Sequence, residues 1–385
     1  MKGDAAVIHV CEALASGILR VVPALADETA AAGIPTVVLY GRRPETPEDM
    51  SEWFDPRVRL VPVDGWGDRS PRGSLSGTMR AALALRRELS RFHRGVLHLH
   101  STYAGLVGRV VPAPGWSRFY TPQGYAFLND SYPRALRWVT LAAEVALARH
   151  AHTIACSRAE GAVAARLTRG HGVSVVQNGV DGEFAEAAAA PACDGFVVAS
   201  VGRAAHQRRP DLFVEMRTLL GEEGDTAFHW FGDGPDRELL VGAGVAVSGW
   251  LAHSEAAAAI ARADVLVHFS AFEGLPLSLL EAMRAGRPVV ASDLPVIREV
   301  VDEAGILVRD ATEAADAVRR LRADESLRAE LAARAHDRAR RLFTRRAMVE
   351  RTLATYGLQS EGPAEHPCAA RSALLPPMRG PRSRP

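Results

Sequence analysis

Residues 264–301, DVLVHFSAFEGLPLSLLEAMRAGRPVVASDLPVIREVV, constrain the fold more than any other stretch of the chain. Residues 264–270 form an apolar run rich in Val and Phe, short enough for a buried parallel strand rather than a helix. Glu273-Gly274 then supplies turn chemistry. Pro276 suits the first position of a helix, where its missing N–H costs nothing, and residues 277–285 carry helical apolar spacing. Gly286 caps that helix, Arg287-Pro288 forbids its continuation, and residues 289–291 open the next short strand. The order is strand, glycine turn, helix, strand.

Such a unit aims the free amides of a helix N-terminus at the carboxyl end of a parallel strand, where open α/β sheets bind ligands and where anions are favoured. Gly274 lets a ligand approach the backbone. Two carboxylates frame the cradle, Glu273 in the turn and Glu281 on the helix, with seven residues between them. Ionised carboxylates accept hydrogen bonds from several hydroxyls at once, as a sugar or a ribose requires. The functional reading is a site for a sugar joined to a phosphate; the plain alternative is an amphipathic helix with Glu281 exposed. The Glu-x7-Glu element followed by EAMRAGRPVVASD and REVV resembles the donor-site signature of retaining family 4 glycosyltransferases of the GT-B fold, over nearly forty residues.

At 385 residues the chain suits two domains, and a net charge of +1 argues against a dedicated nucleic-acid binder. Cys11, Cys156, Cys193 and Cys368 are far apart, with no CxxC pair and no His at metal-ligand spacing, so no metal is expected. No signal-like apolar run and no membrane-length apolar stretch occurs, so the expectation is a soluble cytoplasmic protein able to touch the inner membrane surface.

The first half, residues 1–184, opens with a strand at residues 6–10, a turn at Ser16-Gly17, a helix to about residue 32 and a second strand at residues 36–40, the start of a doubly wound sheet. The resembled family commonly has Gly-Gly at this turn, beside the donor phosphates; an ordinary helix N-cap at Ser16 is the alternative. Residues 79–94 read as a helix carrying Arg80, Arg86, Arg87, Arg91 and Arg94, either a solvated face or a surface for anionic lipid. A strand at residues 95–100 ends in His98 and His100, on one face by alternation, followed by Ser101; both histidines reaching one cleft, or one structural and one exposed, are open readings. The phrase HLHSTYAGLVGR resembles the acceptor domain of bacterial surface-polysaccharide members of the family. The next strand runs into Gln123-Gly124-Tyr125. Many relatives carry at the position of Gln123 a His that contacts the transferred sugar; an amide can bond a hydroxyl but cannot shuttle a proton.

Residues 185–193 read as a hinge, and residues 195–335 as the donor domain. Gly202-Arg203 follows a strand at its carboxyl end, and Arg203 and Arg208 match positions where the family reaches the donor diphosphate with Arg and Lys; Arg keeps the charge with a planar fork. Gly232 and Gly234, with Pro235, resemble the family's Gly-x-Gly-Pro loop at the nucleotide pocket, and Trp250 and Leu251 are expected near the base. Residues 336–357 resemble the helix that crosses back to the first domain, and residues 358–385 read as a disordered tail.

The resemblance thus implies a GT-B enzyme, two doubly wound Rossmann-like α/β domains facing across a cleft. It would move a hexose from a nucleotide diphosphate sugar to a glycan, lipid-linked or small-molecule acceptor with retention, metal-independently and without a cofactor. Glu273, Arg203 and Arg208 are the expected catalytic residues. Ser16, Gly17, Gly202, Gly232, Gly234, Gly274, Leu275, Pro276, Leu277 and Glu281 are expected on the donor, and His98, His100, Ser101, Gln123 and Tyr125 on the acceptor or sugar side. A sugar-nucleotide epimerase and a non-catalytic nucleotide-sugar-binding module are the alternatives.

Overall fold

The structure, a computed structural model, describes residues 3–15, 17–67, 71–180, 184, 195–221 and 225–358. Ser16, the hinge at 185–193 and the tail from 359 onward lie outside the described residues.

Seven strands build the first sheet: β1 (Gly3–Cys11), β2 (Thr36–Tyr40), β3 (Arg59–Pro62), β4 (Phe92–His100), β5 (Trp116–Thr121), β6 (His152–Ala155) and β7 (Val173–Val175). All pairings are parallel, in the order β3-β2-β1-β4-β5-β6-β7. Its helices are α1 (Ile18–Ala31), α2 (Pro71–Leu89), α3 (Thr102–Val110), α4 (Arg134–Leu147) and α5 (Arg158–Thr168). The second sheet holds β8 (Phe196–Val201), β9 (Thr226–Phe231), β10 (Ala246–Val247), β11 (Val265–His268), β12 (Val289–Ser292) and β13 (Ile306–Val308), parallel in the order β10-β9-β8-β11-β12-β13. Around it lie α6 (Pro210–Leu220), α7 (Arg237–Gly242), α8 (His253–Ala261), α9 (Leu277–Arg284), α10 (Pro295–Val301), α11 (Ala311–Ala323), α12 (Glu325–Leu342) and α13 (Arg345–Tyr356). These are two Rossmann-like domains.

Strand order reverses between β1 and β4 in the first sheet and between β8 and β11 in the second. Loops leave such switch points in opposite directions and open a crevice at the carboxyl ends of the strands. The loops concerned are those after β1, β4, β8 and β11, and they carry most of the residues singled out in the sequence.

Local chemistry places these elements much as the sequence expects. Gly286 has φ +65, its N–H bonds the Met283 carbonyl at 3.0 Å and the Arg287 N–H bonds that of Ala282 at 3.0 Å, a left-handed end to α9. Pro276 sits one position earlier than expected, as the N-cap (φ −74, ψ 111), and α9 starts at Leu277. The basic helix expected at 79–94 runs instead from Pro71 to Leu89. Phe92 already pairs with Gly3 as the start of β4, so Arg91 and Arg94 leave the helix; a Cβ on Gly95 would sit 2.0 Å from the Ala6 carbonyl oxygen. Strand pairing overrides helical periodicity there.

The break expected at residue 336 falls inside α12, which packs on α9 of the second domain. The chain leaves that domain at Phe343–Thr344, and α13 packs on α1. Its buried residues Met348, Val349, Thr352 and Tyr356 face the first domain's core. Val180 forms a parallel bridge with Thr344, its N–H bonding the Phe343 carbonyl at 2.9 Å and its carbonyl accepting from Arg345 N at 3.2 Å. A Cβ on Gly179 would meet the Thr344 carbonyl oxygen at 2.1 Å. Gly179→Ala should therefore lower the unfolding free energy by about 1–3 kcal/mol through overpacking. Gly242→Ala, whose Cβ meets nothing, should be neutral or stabilising. Denaturant midpoints of the two variants check this; equal midpoints would disprove it.

Candidate active site

A cavity of about 570 Å³ lies between the two switch points. On the second-domain side Gly202, Arg203, Arg208, Gly232, Glu273, Gly274, Leu275, Pro276, Leu277 and Glu281 line it, and on the first-domain side Gly17, Ser101 and Gln123 do. Trp250 and Leu251 stand at its wall as well.

The Glu273 side chain is only 5% exposed, and three neighbours engage its Oε1. Arg208 Nη1 forms an ion pair with it, Ser270 Oγ donates at 2.6 Å, and His268 Nε2 lies at 3.5 Å. Burial, the largest single influence, pushes the Glu273 carboxyl up, but the Arg208 guanidinium together with the His268 and Ser270 contacts outweighs it and holds the group below the usual carboxylate range. The same Nη1 donates to His268 Nε2 at 2.7 Å, so Nε2 is the acceptor and the imidazole is neutral; burial, then Arg208, push His268 down to about 4. A Cβ on Gly202 (φ +130) would meet Arg208 Nε at 2.9 Å, so glycine there is what lets this side chain cross the strand end.

Arg208 thus lies against Glu273 rather than reaching out alone, because a buried carboxylate needs a partner. Arg203 spans the cleft, with Nη1 3.0 Å from Glu45 Oε1 of the first domain. Glu281, at the far end of the cradle, behaves oppositely to Glu273. Burial pushes its carboxyl up, and Arg20 of α1 and Arg208 only partly counter that. Two carboxylates eight positions apart therefore have opposite proton affinities.

On the first-domain side, Ser101 (φ +79) and Gln123 (φ +56) hold left-handed backbone angles directly after β4 and β5. Such strain persists where the surroundings fix it, and it collects at functional sites. Gln123 Oε1 accepts from Asn178 Nδ2 at 3.1 Å, while its buried Nε2, the buried Ser101 Oγ and the Ser278 Oγ have no protein partner among the described residues. These three polar atoms belong to residues that line the same cavity.

Among the described residues, four expected ones are not in its lining. His98 and His100 do share a face, but that face is inside. β4 is a central strand between β1 and β5, and α13 covers it, leaving them 2% and 0% exposed. His98 Nε2 is 2.8 Å from Thr121 Oγ1 and its Nδ1 meets the Tyr356 hydroxyl, while His100 Nε2 lies 3.1 Å from His9 Nδ1. Only the residue after the strand, Ser101, emerges into the cleft. Tyr125 packs into the opposite core, its ring 5.1 Å from that of Phe127 and 6.4 Å from that of Tyr120. Gly234 backs the wall, because a Cβ there would strike the Ala204 carbonyl oxygen at 2.3 Å.

The structure also adds residues that sequence reasoning missed. Glu12, paired with Arg43, and Glu45, Arg20 and Asn178 all line the cavity. His268 had a readable signal, a polar residue ending an apolar strand just before the glycine turn; Glu45 had none.

Comparison with known proteins agrees with this geometry. Residues 15–184 match the family described as Glycosyltransferase Family 4, and residues 195–324 match Glycosyl transferases group 1. An alpha-D-kanosaminyltransferase of Streptomyces kanamyceticus is 33% identical over 35% of this chain and 39% of its own length. The Escherichia coli UDP-Gal:alpha-D-GlcNAc-diphosphoundecaprenol alpha-1,3-galactosyltransferase is 24% identical over 57% of this chain and 63% of its own. The chain thus spans less than two thirds of these relatives' length. Among solved structures, the sucrose-phosphate synthase of Thermosynechococcus elongatus superposes with a TM-score of 0.78 at 22% identity, covering 91% of this chain and 98% of that one. Anabaena HepE in complex with UDP and glucose gives 0.74 at 17%, covering 91% and 99%. With two family models meeting at the cleft and the fold shared over nearly the whole chain, the protein belongs to the family 4, group 1 glycosyltransferases of the GT-B fold.

Proposed function

We propose that this glycosyltransferase moves a hexose from a nucleotide diphosphate sugar to a glycan, lipid-linked or small-molecule acceptor, with retention of configuration and without a metal at the diphosphate. The reading rests on one cavity lined by Glu273, Glu281, Arg203, Arg208 and the N-terminus of α9, with the buried Gln123 amide nitrogen and Ser101 hydroxyl oxygen unpartnered on the facing wall. Arg203 and Arg208 with the amides of residues 274, 275 and 277 would stabilise charge growing on the leaving diphosphate, by about 1.5–3 kcal/mol for each charge-assisted bond. Glu273, oriented by Arg208 and Ser270 through Oε1, would accept from sugar hydroxyls, and Glu281 from the ribose. Gln123 would donate its amide to a sugar hydroxyl, a contact that needs no proton transfer. The acceptor would enter from the first-domain side. A role in bacterial cell-surface polysaccharide assembly fits the E. coli relative, whose named acceptor is lipid-linked.

A thermal-shift series with UDP, GDP, ADP and dTDP tests the donor site, UDP first because HepE was solved with it. One nucleotide should stabilise the chain by about 2.7 kcal/mol at a hundred times its Kd. Arg203→Ala and Glu281→Ala should each weaken that binding about 10–100-fold. No stabilisation by any of the four would overturn the reading. Product analysis without acceptor separates transfer from epimerisation: an altered sugar nucleotide would replace transfer with epimerisation.

The raised Glu281 carboxyl sets the pH dependence. Its ionised form accepts the ribose hydroxyls, so nucleotide affinity is full well above its pKa and falls as pH drops through it. Because burial raises that pKa, the loss should begin above the ordinary Glu range near about 4.3. Glu281→Gln should flatten this limb; an unchanged profile in that variant would remove Glu281 from the ribose.

No helix among the described residues is long and apolar enough to cross a membrane. We propose instead that the face formed by α2, α3 and α4 rests on an anionic lipid surface. It exposes Leu75, Met79 and Leu83 of α2 and Trp138, Val139 and Val145 of α4, with Arg80, Arg86 and Arg87 alongside, and Trp138 is 71% exposed. Sedimentation with vesicles containing phosphatidylglycerol should fall roughly tenfold in Met79→Ala/Trp138→Ala and with added salt; equal sedimentation would exclude this face.

A further inference from the structure

The first domain holds a second cluster of chemically able side chains, set beneath the cleft and unused by the transfer site. His98 and His100 lie two apart on β4, and His9 is the register partner of His98 on β1, so all three imidazoles share one face of the sheet. Their ligand atoms all lie within 4.8 Å of one another, and the His98 and His100 ring centroids are 3.9 Å apart. All three are buried. β1 and β4 bring His9 and His100 together from ninety-one positions apart in the sequence.

Ordinary core packing does not account for the cluster. His9 Nδ1 and His100 Nε2 face each other at 3.1 Å, but His9 Nε2 and His100 Nδ1 are buried with no protein partner. Whichever tautomers are chosen, one buried N–H and one buried lone pair stay unmatched. Zinc–nitrogen bonds of about 2.0–2.1 Å set the ligand nitrogens of a tetrahedral ion about 3.3 Å apart; His9 Nδ1 and His100 Nε2 are already 3.1 Å apart, and the three ligand atoms lie within 4.8 Å of one another. Two histidines at i and i+2 on one strand with a third from the neighbouring strand can converge on one ion without moving the backbone.

We propose that His9, His98 and His100 bind one late first-row transition-metal ion of the zinc(II) class. Neutral imidazole is the form that coordinates such ions, and burial keeps all three rings neutral. His98 has a hydroxyl on each side, Thr121 at Nε2 and Tyr356 at Nδ1. Whichever nitrogen turns to the ion, the other keeps an outer partner that fixes the ring. Tyr356 ends α13, the helix that crosses back from the second domain. The residues following the strands concerned, Glu12, Ser101 and Pro122, line the cleft. The ion would clamp β1 to β4 under the acceptor side and tie the crossing helix to both, a structural role separate from the diphosphate.

The test uses the full chain without a histidine tag, stripped with a chelator and titrated with zinc(II) alone against a chromophoric competitor. One ion per chain is expected, with a rise in melting temperature, and binding should weaken at least ~100-fold in His9→Gln/His100→Gln. Of Thr121→Val and Tyr356→Phe, the one that removes the outer partner of His98 should weaken it ~10-fold. Because the double variant could fail to fold, ring-nitrogen NMR of the wild type supplies an independent readout: zinc should shift the resonances of three buried histidines together. Wild-type binding no stronger than in a folded double variant, or zinc shifts confined to surface histidines such as His150 and His171, would overturn the site.

Discussion

The two domains meet backbone to backbone at Gly124 and Gly274, and the geometry of the cleft follows from that contact. A Cβ on Gly274 would lie 2.7 Å from the Gln123 carbonyl carbon and the Gly124 nitrogen, and 3.1 Å from Cys156 Sγ. Any side chain there would push the domains apart. With none, the first turn of α9 comes directly under the loop that carries Gln123, so the anion-seeking amides and the facing wall enclose one volume. A buried carboxylate of the first domain and a partly buried one of the second brace this contact. Glu160 accepts from Gly124 N at 2.7 Å and Cys156 N at 2.8 Å, and Glu299 of α10 accepts from Arg158 N at 2.8 Å and Gln177 Nε2 at 2.6 Å. The Glu299 bonds put a second-domain carboxylate at the N-terminus of α5, where the helix dipole favours it.

Electrostatics then divide the carboxylates by task. The Glu273 and Glu281 carboxylates are both withdrawn from solvent, yet among the described residues only Glu273 has a guanidinium in direct contact, and that contact, with those of His268 and Ser270, turns its shift downward. Glu160 is raised by burial although two amides donate to it, because hydrogen bonds from neutral donors offset less desolvation than a full charge does. A fixed anion at Glu273 and a more readily protonated one at Glu281 make the two ends of the cradle respond differently to pH.

Much of this was legible in the sequence because it depends on local chemistry. The glycine turn at 273–274, the left-handed end at Gly286 and the short apolar strands are set by steric rules that act within a few residues, and the family resemblance carried the site from there. What was not legible depends on distance. Glu45 meets Arg203 across the cleft, and His9 meets His100 across ninety-one positions, with no local signal for either. Alternation correctly put His98 and His100 on one face, but not whether that face met a cleft or a core, since this depends on α13 arriving from the other end of the chain. The helix at 79–94 was misplaced for a related reason: its arginines sit where β4 must begin in order to pair with β1.

The cleft is held unequally at its two sides, and this determines how it can open. On one side Val180 and Thr344 run as a parallel pair joined by backbone hydrogen bonds, with Gly179 packed against the Thr344 carbonyl, so the two strands of chain between the domains move as one hinge. At the mouth, the contacts are between side chains, an ion pair of Arg203 with Glu45 and a contact of His206 Nε2 with Asp130 Oδ1 at 2.7 Å. The His206 and Asp130 side chains are both about half exposed, so solvent screens their pair to within about 0–1 kcal/mol. Backbone bonds at the hinge resist separation more than the side-chain pairs at the mouth do, so an opening of the cleft would turn about the 180/344 segment. A diphosphate entering the mouth would compete with Glu45 for Arg203. A dianion outweighs one carboxylate at a planar guanidinium, so binding would exchange a bridge between domains for a bridge to the substrate.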